Sequence, residues 1–210
     1  MRSMLTNQGR TPVRYGRSAG LTLLALASAR CSTPPPEPPP SLAGHELDAA
    51  VAPLPEEYRT DATILAYDSA GALRVAREGN GEMICIAPNP AEKDFHAACY
   101  HRSMEPFMAR GRELRGVGVT GAEVDSVRFR EVRQGTLAMP QEPAALYQLF
   151  GGRFDPATGT VVGAQALYVV YIPFATGKTT GLSEKPSETE PWIMFPGTPK
   201  AHIMMSGTMR

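Results

Sequence analysis

Between positions 62 and 86 the chain alternates short apolar runs with turn chemistry, a pattern of strands. Ala62, Ile64 and Ala66 interleave with Thr63, Leu65 and Tyr67, and Asp68-Ser69-Ala70-Gly71 follows as a reversal. Leu73 and Val75 open a second strand, Gly79-Asn80-Gly81 makes a second turn, and residues 83–86 form a third strand around Cys85. The simplest arrangement of these three is an antiparallel meander. After Pro88 and Pro90 the period lengthens: Phe95, Ala98, Cys99 and Arg102 fall on one helical stripe, with Asp94 placed to complement the helix dipole. A second helical piece runs from Ser103, as its cap, to about Leu114, with Pro106 tolerated in the first turn. Thr120 and Glu123 have the spacing of a capping box and predict a helix over 122–133, stopped by Gly135. Its inner face carries Val124, Val127 and Glu131 or Val132. Its charges (Glu123, Asp125, Arg128, Arg130, Glu131, Arg133) read as solvated surface.

The last third reads as sheet. Residues 144–150 are apolar and fit strand or helix, residues 155–159 (DPATG) are a strong turn, and residues 167–172 (LYVVYI) make the clearest buried strand, apolar on both faces and therefore central. Residues 176–191 are a long polar loop, and two short closing strands follow at 192–195 and 201–205. With 210 residues and a moderate apolar content, one core and one domain are expected. The predicted fold is α+β, a mostly antiparallel sheet with two or three helices and one disulfide.

The chain before this domain has a different composition. An arginine-bearing start precedes an apolar run at 19–27 (AGLTLLALA) and the small residues Ala27-Ser28-Ala29, which together predict a signal peptide over 1–29. The run is too short to span a bilayer, which takes about 20 residues. Residues 30–57 contain Pro34, Pro35, Pro36, Pro38, Pro39 and Pro40 and are expected to form a stiff, disordered tether, with the domain filling 58–210. Equal numbers of basic and acidic side chains conceal an asymmetry, because Arg2, Arg10, Arg14 and Arg17 all precede the first acid, Glu37. The processed chain is mildly acidic, which gives no electrostatic case for nucleic acid or anionic lipid. Export predicts a bond between Cys85 and Cys99 and leaves Cys31 over. Cys31 follows a lipoprotein-like leader, although Arg30 departs from the small residue such signals carry before the cysteine; lipidation there is the one route to a membrane.

The ending, residues 191–194 (PWIM) and then 197–204 (GTPKAHIM), resembles that of a group of uncharacterised secreted bacterial proteins that also carry a cysteine pair upstream of a helix. The resemblance spans roughly residues 74–206. It implies export and a cystine, and no activity or site residue.

Four constellations invite chemistry. Residues 175–180 (ATGKTT) look like the end of a phosphate loop, but Ile172 stands where the opening glycine belongs. His96, Cys99 and His101 lie close together as for zinc, but His101 points away from the other two and a disulfide removes the thiolate. His101 with Met104 and Met108, and His202 with Met204, are soft donors of the kind that suits copper in an envelope. His202 is also the one candidate general base, with Glu188 or Glu190 as its carboxylate. Each has a plain structural alternative, and no cofactor is implied. The expectation is an exported, non-catalytic binding or structural module of the cell envelope engaging a protein or small ligand; the alternative is a hydrolase-like or copper-handling protein using His202.

Overall fold

The computed structural model describes residues 40–207. The predicted signal peptide, Cys31 and most of the proline-rich run lie outside them. In chain order the elements are α1 (Gly44–Val51), α2 (Glu56–Arg59), β1 (Thr63–Tyr67), β2 (Leu73–Arg77), β3 (Met83–Ile86), β4 (His96–His101), a 3₁₀ turn (Arg102–Met104), α3 (Glu105–Gly116), α4 (Ala122–Arg133), β5 (Ala144–Phe150), β6 (Arg153–Asp155), β7 (Thr160–Val162), β8 (Gln165–Tyr171), α5 (Gly177–Thr180), β9 (Trp192–Met194) and β10 (His202–Gly207). Eight strands form one sheet in the order β2-β1-β3-β4-β5-β8-β10-β9, and β6 and β7 make a separate hairpin. Every pairing in the large sheet is antiparallel except β1 with β3. The α+β class, the mostly antiparallel sheet and the disulfide are therefore as the residue pattern predicts.

Strand alternation sends side chains to two separate cores. Ile64, Ala66, Met83, Cys85 and Cys99 face Ala50, Val51 and Leu54 of the N-terminal segment. Leu65, Ile84 and Tyr100 face the other way and meet Met104 and Phe107, with Met108, Phe129 and Val132 packed around them. The sheet thus lies between α1 on one face and the α3–α4 pair on the other. The β6–β7 hairpin extends the α1 face, where Val161 and Phe154 join Ala49, Phe95, Ala97 and Leu149.

Four expectations are corrected. The folded body begins well before Tyr58, because residues expected in the tether form α1 and α2 and supply Ala49, Ala50, Val51 and Leu54 to the interior. Leu47, Ala50, Val51 and Leu54 follow a helical spacing that the surrounding prolines obscure.

The first three strands are not a meander: β3 lies on the far side of β1 and runs parallel to it. The glycines at 79 and 81 serve this crossing. Gly81 N–H donates to Asp61 O (2.7 Å), and a Cβ at Gly79 would collide with the Asp61 and Ala62 backbone. Arg102 clamps the strap by donating to Gly79 O, Gly81 O and Thr63 Oγ1.

The segment holding Cys99 is strand, not helix. Cys85 stands directly opposite Cys99, so the disulfide joins neighbouring strands. Hydrogen bonding to β3 and β5 on both sides overrides the helical stripe.

The caps also differ. The His101 side chain, rather than Ser103, accepts at the start of the 3₁₀ turn, and Gly121 (φ +59°), the residue before α4, provides no side-chain cap. Pro106 does sit in the first turn of α3, and α4 has the predicted bounds.

Candidate binding site

The end of the sheet beneath α1 is incompletely filled. Ala43 precedes the helix and has no side-chain acceptor; Glu46 Oε2 instead accepts from Ala43 N–H (2.7 Å), holding the first turn. The helix presents Ala49 to the cavity, which Ala66, near the end of β1, and Ala87, just past β3, also line. The short side chains of three alanines leave space. Pro88 and Pro90 wall that space, and their loop is stiffened where Asn89 accepts from Ala91 N–H (3.0 Å) and donates to Glu92 (3.2 Å). Phe95 and Phe154, stacked with ring centroids 6.4 Å apart, close the far side. The result is a half-open cavity of about 260 Å³ with Leu42, His45, Glu46 and Tyr67 completing its lining. A smaller recess of about 110 Å³ has Tyr67 and Ala87 in common with it, but Ile86, His96 and Ala98 in its lining face the α3–α4 side of the sheet, so the two open on opposite faces. Burial, then the Glu92 charge, raise the Tyr67 phenol pKa.

On the opposite face, polar chemistry is concentrated and largely satisfied. Arg128, expected on the surface, is only 4% exposed. Its guanidinium lies 3.9 Å from the centre of the Phe107 ring, donates to Phe107 O (3.1 Å) and pairs with Asp125. Lys200 Nζ donates to the other Asp125 oxygen (2.9 Å) and sits over the Phe195 ring. Burial opposes the Asp125 charge, but hydrogen bonds from Lys200 and Arg128 prevail and hold its carboxyl below the ordinary value. Burial pushes Arg128 down despite Asp125. A similar set ties Tyr100 Oη to Glu105 and Arg112, and burial raises that phenol well above its ordinary pKa.

The expected site residues are not brought together. His202 is buried between the Tyr171 and Phe195 rings, with Nδ1 2.6 Å from Lys200 O. Burial lowers its pKa, and the Lys200 charge adds to that against the opposing Lys200 carbonyl. Glu188 and Glu190 are exposed, and neither bonds to it. Met204 packs into the core beside Val169, and Met104 is fully buried on the α3 side, so the core holds both thioethers. His101 bonds Ser103 at the surface near Glu82. His96 and His101 end the same strand on opposite faces, with Cys99 tied up in the cystine. Among the described residues, no three His, Cys, Asp or Glu side chains gather as a metal site. In the loop resembling a phosphate site, Glu184 already accepts from Gly177 N–H (2.7 Å).

Around His202 the backbone is strained. Phe174 (φ +65°) and Phe195 (φ +55°) are the non-glycine residues in left-handed conformation among those described, held where Phe174 N–H donates to Thr198 O and Gly197 N–H to Ala175 O. Set against protein-family models, curated proteins and solved structures, the chain matches none of them. Sequence reading missed the cavity because its helix wall lies in the segment assigned to the tether, where the spacing of Leu47, Ala50, Val51 and Leu54 was the available signal.

Proposed function

We propose that this chain is an exported, non-catalytic binding module of the cell envelope that holds a small apolar ligand in the cavity beneath α1. The observation that carries this reading is the cavity itself: a concave, mainly apolar space with a few polar groups at its margin, the usual character of a ligand site. The state of His202 supports a non-catalytic role, since its buried ring is occupied by Lys200 O and two aromatic neighbours. The cystine and the leader favour an oxidising compartment. No described helix is long and apolar enough to cross a membrane.

Native mass spectrometry of the chain isolated from its host's envelope, with a denatured control, tests the reading. A non-covalent small-molecule adduct is expected in the wild type and lost from Ala49→Phe, which fills the space. An adduct that survives Ala49→Phe in a folded protein, or none in either form, overturns it.

A further inference from the structure

We propose that the cavity beneath α1 selects organic cations: a compact apolar body enclosed by Phe95, Phe154 and the prolines, with an ammonium group at the Glu46 side of the mouth. This deepens the proposed function and rests on it. Size sets the first limit. A cavity of 150 Å³ accommodates benzene, so about 260 Å³ admits a body of about ten non-hydrogen atoms. Shape sets the second, because the stacked Phe95 and Phe154 rings and Pro88 and Pro90 present flat apolar walls suited to an aromatic or short branched group.

Charge decides the head group. Glu46 is the charged residue in the cavity lining, and it is exposed at the mouth. One of its oxygens takes the Ala43 N–H, and among the described residues no hydrogen bond reaches Oε1. The lining holds no lysine or arginine, and His45 is its one basic side chain. A carboxylate or phosphate head group would meet repulsion from the Glu46 carboxylate, whereas an ammonium finds an acceptor there.

Three probes of one shape separate the alternatives: 2-phenylethylamine, its neutral isostere 2-phenylethanol and the anion phenylacetate, titrated into the full mature chain at low and at physiological salt. The amine is expected to bind about three- to fivefold more tightly than the alcohol at low salt, with phenylacetate weakest and the amine's advantage shrinking as salt rises. Glu46→Gln retains an oxygen for the Ala43 N–H while losing the charge, and is expected to bring the amine to the affinity of the alcohol with thermal stability unchanged. Equal affinity of amine and alcohol in the wild type, or an amine preference that persists in Glu46→Gln, overturns cation selection and leaves the apolar binding reading standing. Failure of all three probes to bind overturns both.

Discussion

The face of the sheet under α3 and α4 contrasts with the face under α1. On the first, the chain buries charged and polar side chains and partners nearly all of them: Arg128 has Asp125, the Phe107 carbonyl and the Phe107 ring, and Tyr100 has Glu105 and Arg112. Only Nε of Arg128 lacks a partner on that guanidinium. On the second, the side chains are mainly apolar, and alanines at 49, 66 and 87 among larger neighbours leave open volume that no described side chain occupies. The lesson is that unusual side-chain chemistry and unfilled volume separate in this molecule. Buried charges that satisfy one another serve stability, while the unfilled space lies where the chemistry is plainest.

The sharpest way to break this comparison is to remove packing from the filled face. Phe107→Ala takes away a fully buried ring and the surface on which Arg128 lies, so a loss of about 3–5 kcal/mol in denaturant unfolding is expected; a loss under 1 kcal/mol would mean that this face is as loose as the other. Removing the cystine by Cys85→Ala with Cys99→Ala is expected to lower stability by about 3 kcal/mol in the chain-entropy account. Because Cys85 and Cys99 pack on the α1 side, the double variant should also loosen ligand binding, which titration with the cavity probes would show.

Asp125→Asn leaves Arg128 buried without its counter-charge and frees Lys200. A loss of about 1–3 kcal/mol is expected in the same unfolding assay, and no change would show that the ion pair is replaceable by water.

A matched pair of small enlargements puts the two faces side by side. At Gly111 an added Cβ would stand 2.9 Å from Nη1 of Arg128, which the Phe107 carbonyl and Asp125 hold in place, so Gly111→Ala is expected to cost about 1 kcal/mol despite its better helix propensity. Ala49→Leu projects into open volume and is expected to be neutral or to stabilise by up to about 1 kcal/mol. Thermal melts showing the opposite order would reverse the assignment of filled and unfilled faces.

The smallest effect is in pH. Burial holds the folded His202 pKa below the ordinary imidazole value of about 6.5, so the ring stays neutral in the folded chain after it has protonated in the unfolded one. Its contribution is complete above pH about 6.5, declines as the pH falls through that value, and stops changing below the folded pKa. Melting temperatures at pH 7.5 and 5 should therefore differ more for the wild type than for His202→Gln, and an equal difference would show that His202 is not the group responsible.

Much of the element map was legible in the residues. The turn at 68–71, the helix at 122–133 and the turn at 155–159 occupy their predicted places, and the strand predicted over 167–172 is β8, Gln165–Tyr171, because each rests on local turn chemistry or a strong period. The cavity was not legible. Its walls come from segments separated by more than a hundred residues, Leu42 to Phe154, and alanine spacing carries no local sign of a void. Nor was the burial of Arg128, since an arginine among charges on a helix has the same local pattern whether a Phe107 ring waits beneath it or water does.

By itself the sequence determined where the chain turns, which stretches alternate, and that Cys85 and Cys99 are placed to pair. Tertiary structure decided that β3 crosses to the far side of β1, that the Cys99 segment extends into a strand, and that residues after Pro40 belong to the core. The reason is physical. Turns and periods are set by dihedral preferences within a few residues, whereas strand order, cavities and the fate of a buried charge depend on which distant surfaces meet and on whether each polar group finds a partner when they do.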